Sequence, residues 1–146
     1  MKLPKKTTQT DKKNIDDNIN LFHSTCFSCG QNILHGLHLN FQQDDKSVRC
    51  SMVITDSFQS YKGIVHGGII ATIIDAALVN CLHNIFKQDP FTGRLDVRFL
   101  HSIPTNVKID IQAHFVSRRK NLCIGEAMLY RDNKLQVRAI GTFMLR

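Results

Sequence analysis

The sequence predicts an α+β fold in which an antiparallel sheet of five to six strands wraps around one long central helix. Three observations predict it. Residues 67 to about 84, "GGIIATIIDAALVNCLHN", are apolar on nearly every side, the pattern of a helix surrounded by protein rather than lying on a surface. Residues 107–115 alternate strictly, with Val107, Ile109, Ile111, Ala113 and Phe115 on one side and Lys108, Asp110, Gln112 and His114 on the other, so one sheet face is buried and the other wet. The connections after the helix, "SIPT", "RRK" and "DN", have hairpin length and favour antiparallel neighbours.

Taken in order, residues 1–20 are polar and Lys-rich without hydrophobic periodicity, which predicts a flexible basic arm ahead of a single domain over residues 21–146. "GLHLNFQQ" (36–43) sets Leu37, Leu39 and Phe41 against His38, Asn40 and Gln42, and reads as a strand. "SVRCSMVIT" (47–55) is rich in β-formers, and "QDDK" (43–46) makes the turn between the two. The apolar helix needs a wrapping, and four strands at 91–100, 106–118, 121–131 and 134–146 supply it.

With 146 residues, 42% of them hydrophobic, the chain builds a core without staples. Its longest apolar run, 69–82, is broken by Thr72, Asp75 and Asn80 and falls short of the roughly 20 residues of a bilayer span, so no membrane segment is expected. The first 20 residues lack the apolar stretch of a secretory signal, and the expected location is cytoplasmic. Five scattered cysteines then read as reduced core residues. A formal charge of +7 and a pI near 9.4 favour anionic partners: nucleic acid, acidic lipid or phosphorylated small molecules. Nucleic acid is disfavoured, because the arm's lysines are interspersed with aspartates and no helix-turn-helix, RRM or zinc-finger pattern is present.

The candidate site is "GIVHGGIIATIIDAALVNCL" (63–82). His-Gly-Gly at the start of a helix offers backbone N–H groups with no intrahelical partner, and glycines leave them open to a ligand. With the helix dipole behind it, the amide of Gly67 or Gly68 suits a carbonyl oxygen that gains negative charge. Asp75 is a carboxylate among apolar neighbours, which is costly unless it is hydrogen-bonded or kept for chemistry. His66 and Asp75 are nine positions apart, which is about 2.5 turns and about 13 Å of rise, on opposite sides of the axis. They cannot both touch one reacting group, so a site using both takes the carboxylate from a second copy across a two-fold axis.

"GIVHGGIIATIIDAAL" resembles the signature of hotdog-fold acyl-CoA thioesterases, in the branch similar to phenylacetate-pathway thioesterases. "CFSCGQNILHGLHLNF" (26–41) is similar to the opening of a subgroup of that branch, and "RLDVRFLHSIP" (94–104) to its strand after the helix. The resemblance implies a hotdog homodimer, or a dimer of dimers, that hydrolyses acyl-CoA at a site shared between subunits. It implies that the Gly67 amide holds the thioester oxygen, that His66 shapes that end of the site, and that Asp75 attacks or activates water, with Thr92 orienting it. Relatives carry Asn or Gln six residues before the His; here that position is Ser60, next to Gln59, and either one takes the water-positioning role. No cofactor is expected, since CoA is part of the substrate.

A CoA site needs cations for the phosphates, and Arg98, Arg118, Arg119 and Lys120 are the candidates. The acyl pocket depends on residues such as Phe58, Ile70, Leu78 and Phe86. Cys26 and Cys29, with His23, His35 and His38 nearby, are donor types for zinc, but a single C-x-x-C lacks a second ligand pair at familiar spacing, and no metal is expected. The competing function is a hotdog module that binds acyl-CoA without turnover, as a sensor or carrier; the absent Asn before the His-Gly-Gly favours it.

Overall fold

A computed structural model describes residues 23–146; the arm expected over residues 1–20 lies outside the described residues. At its centre an α-helix, α1, runs Gly67–Phe86 and ends where Lys87 turns left-handed (φ 52°) and returns its N–H to the His83 carbonyl. By length and composition α1 suits a bilayer; here the sheet covers one side of it, with Ile73, Ile74, Ala77, Leu78 and Leu82 fully buried.

Six strands form that sheet: β1 (Gln42–Gln43), β2 (Ser47–Val53), β3 (Pro90–Phe99), β4 (Lys108–Arg119), β5 (Leu122–Arg131) and β6 (Lys134–Leu145). Every pairing is antiparallel and the spatial order is β1-β2-β4-β5-β6-β3. In β4 the predicted alternation holds: Ile109, Ile111 and Ala113 are buried, whereas Lys108 and Gln112 are exposed. The "DN" turn joins β5 to β6 with both Asp132 and Asn133 at positive φ, the geometry that matches strand twist in a two-residue hairpin.

Two expectations are corrected. The segment 36–43 is a strand only at Gln42–Gln43. Leu37 and Leu39 are buried as the alternation implied, but their amides bond the Phe27 and Ser28 carbonyls of the preceding turn, and His38 is left-handed (φ 49°), so the backbone is spent before a ladder forms. The "SIPT" segment is not a hairpin. It carries the chain from β3, at one edge of the sheet, to β4, and its backbone instead ties down the loop ahead of α1 through Val65 N–H to Ile103 O (2.9 Å) and Thr105 N–H to Gly63 O (3.0 Å).

Close approach of helix and sheet rests on two glycines. Gly125 on β5 and Gly141 on β6 face one another across the ladder, and a Cβ on either would press on Leu78 of α1, at 2.8 Å from Gly125 and 3.0 Å from Gly141.

Candidate functional site

The loop before α1 is fixed from several sides. Asp56 accepts hydrogen bonds from Thr105 Oγ1 (2.5 Å) and Asn106 Nδ2 (3.1 Å), which hold its carboxyl below its ordinary value. His66 N–H bonds Phe58 O (2.9 Å), so the first residue of the helix is placed by contacts on both flanks.

His66 is the N-cap, with φ −64° and ψ 131°, and its Nδ1 accepts the Gly68 N–H at 2.9 Å. An Nδ1 that accepts leaves the proton of the neutral ring on Nε2. Ile69 and Ile70 donate to His66 O (3.0 and 3.2 Å). Of the two amides singled out in the sequence, Gly68's is therefore spent inside the cap. The Gly67 N–H has no hydrogen-bond partner among the described residues. It borders an apolar groove of about 280 Å³ lined by Ile64, Val65, Ile70, Phe99, Leu100 and Ile103.

Asp75 is not sealed among apolar neighbours as the sequence suggested. It is half-buried, on the open face of α1 that also carries Thr72 and Val79. Thr92 Oγ1 donates to Asp75 Oδ1 at 2.7 Å, while Thr72 Oγ1 is engaged with Gly68 O (2.9 Å). Thr92 reaches the carboxylate because of a β-bulge. Thr92 pairs with Phe143 and Arg94 with Thr142, so Gly93 is an extra residue in β3. The insertion switches parity, and Thr92 shares the helix-facing side with Leu95 and Val97 although its number is even.

Other sequence candidates are dispersed. Gln59 Oε1 accepts the Gly63 N–H (2.9 Å) and Ser60 Oγ reaches Ile64 O (3.5 Å), so the Gln59 amide oxygen and the Ser60 hydroxyl are engaged in their own turn. Arg98 is exposed on the outer face of β3, opposite Arg138. Arg118 lies 4.8 Å over the Phe86 ring and donates to Lys120 O (2.6 Å), which places the Arg118–Arg119–Lys120 turn at the far end of α1 from Gly67. The structure thus brings Asp75 and Thr92 together, and His66, Gly67 and Gly68 together, but it does not unite the four basic residues on this chain.

The expected acyl-pocket residues also part company. Ile70 lines the groove beside Gly67, but Leu78 is core, and Phe86 packs edge-on against Phe115 (5.3 Å) at the opposite end. Phe99 is not among the sequence candidates, yet its ring would lie 3.7 Å from a Cβ on Gly67; the signal in the sequence is the Phe99–Leu100 pair that ends the strand. A larger cavity, about 650 Å³, opens on the wet side of β2 and β4 beside Arg49, Ser51, Asp110 and Tyr130, away from Asp75 and Gly67.

All five cysteines are free. Burial pushes the Cys29 thiol up to about 11, with the nearby Cys26 adding to the rise. Burial also acts upward on Cys26, but hydrogen bonds from the backbone and side chains of Cys29 and Ser28 outweigh it and bring that thiol below its ordinary value.

Comparison with known proteins places this geometry in context. The model of the thioesterase superfamily matches residues 62–137, which include the His-Gly-Gly, α1 and Thr92. No curated protein matches the sequence. Among solved structures, a thioesterase superfamily protein superposes with a TM-score of 0.72 at 20% identity, covering 79% of this chain; the chain spans only 60% of that protein's length. A phenylacetic acid degradation-related protein of Ralstonia eutropha JMP134 gives 0.68 at 23% identity, covering 74% of this chain and 85% of the other. A hypothetical thioesterase of Streptococcus pneumoniae TIGR4, with coenzyme A, gives 0.68 at 16% identity, covering 73% and 87%.

Proposed function

The chain belongs to the thioesterase superfamily and has the hotdog fold, and from that premise we propose that it hydrolyses acyl-CoA to free acid and CoA at a site shared by two copies. The observation that carries the reading is the hydrogen bond from Thr92 to Asp75, which holds one carboxylate oxygen on the half-buried face of α1 and leaves Oδ2 with no hydrogen-bond partner among the described residues. In the shared site the thioester oxygen meets the Gly67 N–H of one chain, where the helix dipole favours the charge it gains. Asp75 of the second chain attacks the carbonyl carbon or takes a proton from the water that does, and both routes use Oδ2. On the water route the C–S bond breaks to give the free acid, and the CoA thiolate takes the proton that Asp75 removed from water. On the nucleophilic route C–S cleavage leaves a mixed anhydride on Asp75, which a water molecule then hydrolyses to the acid while supplying the thiolate's proton. His66 closes the amide end of the site, and the reaction needs no cofactor beyond the CoA that the substrate carries.

The groove beside Gly67 suits an apolar acyl or pantetheine segment, and the coenzyme A in the Streptococcus pneumoniae structure supports CoA as the carrier. Arg98, Arg118, Arg119 and Lys120 are the cations available for its phosphates, from whichever copy presents them. A panel of acyl-CoAs with a free-thiol readout tests the reading. Turnover in the wild type and a loss on the order of 1,000-fold in Asp75→Asn, with acyl-CoA binding retained, is the expected result.

One observation favours a second reading, acyl-CoA binding without turnover. The Gln59 amide oxygen and the Ser60 hydroxyl, the two candidates for positioning water, are both engaged within their own turn, which weighs toward binding alone. Tight binding by the wild type with no thiol release establishes that alternative.

A further inference from the structure

The turn at 23–30 gathers soft donors that the proposed hydrolysis does not use. Its backbone is closely wound: Cys26 N–H bonds His23 O (2.9 Å), Gly30 N–H bonds Cys26 O (2.8 Å) and Asn32 N–H bonds Ser24 O (2.9 Å). A Cβ on Gly30 would fall 2.6 Å from backbone atoms of both Cys26 and Ser24, so only glycine closes this turn. The segment 37–39 clamps it from outside through Leu37 N–H to Phe27 O and Leu39 N–H to Ser28 O, both 2.9 Å, and His38 Nδ1 lies 2.9 Å from Gly30 O.

The result is one ligand atom each from His23, Cys26 and Cys29, all within 4.8 Å of one another. A tetrahedral zinc ion with bonds of about 2.3 Å to sulfur and about 2.0 Å to nitrogen holds its ligand atoms roughly 3.5–3.8 Å apart, so a small inward adjustment of side chains closes the set. Asn80 of α1, a buried amide, donates through Nδ2 to Cys29 Sγ (3.9 Å) and to Ala76 O (2.8 Å). A fixed N–H donor to sulfur is the outer support that a thiolate ligand receives in metal sites. A cavity of about 40 Å³, lined by His23, Cys29, Leu39, Asn40 and Asn80 among others, adjoins the cluster and has room for a water.

We propose that His23, Cys26 and Cys29 bind one zinc-class ion, with a solvent molecule from the adjoining cavity as fourth ligand. Two thiolates and an imidazole select a soft or borderline cation and not magnesium or calcium, which take oxygen ligands. Binding releases the two thiol protons, so affinity rises with pH. This revises the sequence expectation of no metal. The linear pattern lacked a second ligand pair, because the third donor precedes the C-x-x-C by three residues and the sulfur's support comes from Asn80, 51 residues further on. Asn80 lies 13 residues along α1 from Gly67, about 20 Å of rise, so the ion would sit well away from Gly67.

The test uses the full chain, reduced and stripped with a chelator. Zn²⁺ is titrated in competition with a chromophoric chelator, and Co²⁺ is added to a parallel sample. The expected results are one Zn²⁺ per chain, the thiolate charge-transfer and tetrahedral d–d bands of Co²⁺, and a melting temperature raised on the order of 5–10 °C at a 100-fold excess over Kd. Cys29→Ser and His23→Gln, each checked for native circular dichroism, weaken binding at least ~100-fold. Absence of stoichiometric uptake by reduced wild type, an octahedral Co²⁺ spectrum, or unchanged affinity in a folded Cys29→Ser chain overturns the proposal. None of these readouts depends on thioesterase activity.

Discussion

Asp75 owes its orientation to a residue on another element. Thr92 Oγ1 holds Oδ1, and the bulge at Gly93 turns that hydroxyl toward the helix. Thr92→Val keeps the shape and removes the donor, so kcat is expected to fall roughly 10–100-fold with KM little changed. Thr92→Ser, which restores a hydroxyl, recovers most of the loss; steady-state kinetics on a substrate from the acyl-CoA panel measures both. A second residue sets a limit at alkaline pH. Cys81 is buried on α1 and its thiol is pushed from 9.0 up to about 11, chiefly by burial. Because the folded value is raised above the unfolded one, this contribution to stability is complete below pH 9 and is lost as pH climbs toward 11. Melting curves of the wild type between pH 8 and pH 11 are expected to fall more steeply than those of Cys81→Ala.

Among the elements, α1 docks against β5 and β6 at a place where the sheet has no side chains. A methyl on Gly141 would meet the Phe143 ring and Leu78 Cδ1, and neither neighbour has space to retreat, since both are fully buried. Gly141→Ala is therefore expected to destabilise the chain by about 2 kcal/mol, seen as a drop of ~4–8 °C in a thermal melt. The elements differ in how plainly the sequence announced them. Strict alternation in 107–115 marks a strand and an all-round apolar window at 67–84 marks a helix, and both became the expected elements. Leu37, Leu39 and Phe41 alternated just as well, yet alternation reports which side chains face inward, not what their amides bond; those amides went to the 27–28 turn. Loop length misled similarly at "SIPT", because a short connection leads to a hairpin only when the next strand pairs with the last, and β3 pairs with β6. The Thr92–Asp75 contact depends on a bulge, which no periodicity reveals; only the family resemblance pointed to Thr92.

At the scale of the whole molecule, the two halves of the proposed site sit on different parts of α1. The Gly67 N–H, without a partner among the described residues, stands at its first residue, and Asp75 is eight residues later on the half-open face, about 12 Å along the axis. One small thioester carbon cannot meet both within a single chain, which is why the proposed function needs a second copy. Gly67→Pro offers a clean removal of the amide end. Proline is tolerated at the first helical position, where its missing N–H has no helix partner, and His66 at φ −64° and ψ 131° already has the conformation that a following proline requires. A Cβ there makes only ordinary contact with Phe99, at 3.7 Å, so the variant is expected to fold and to lose turnover ~100–1,000-fold. Mixing it with Asp75→Asn then reads the architecture directly. Subunit exchange puts half the dimers in mixed pairs, each with one intact site and one doubly defective site, so a mixture of two nearly inactive proteins recovers about a quarter of wild-type activity. If each site were built within one chain, every site in the mixture would carry one lesion, and activity would stay at the level of the single variants.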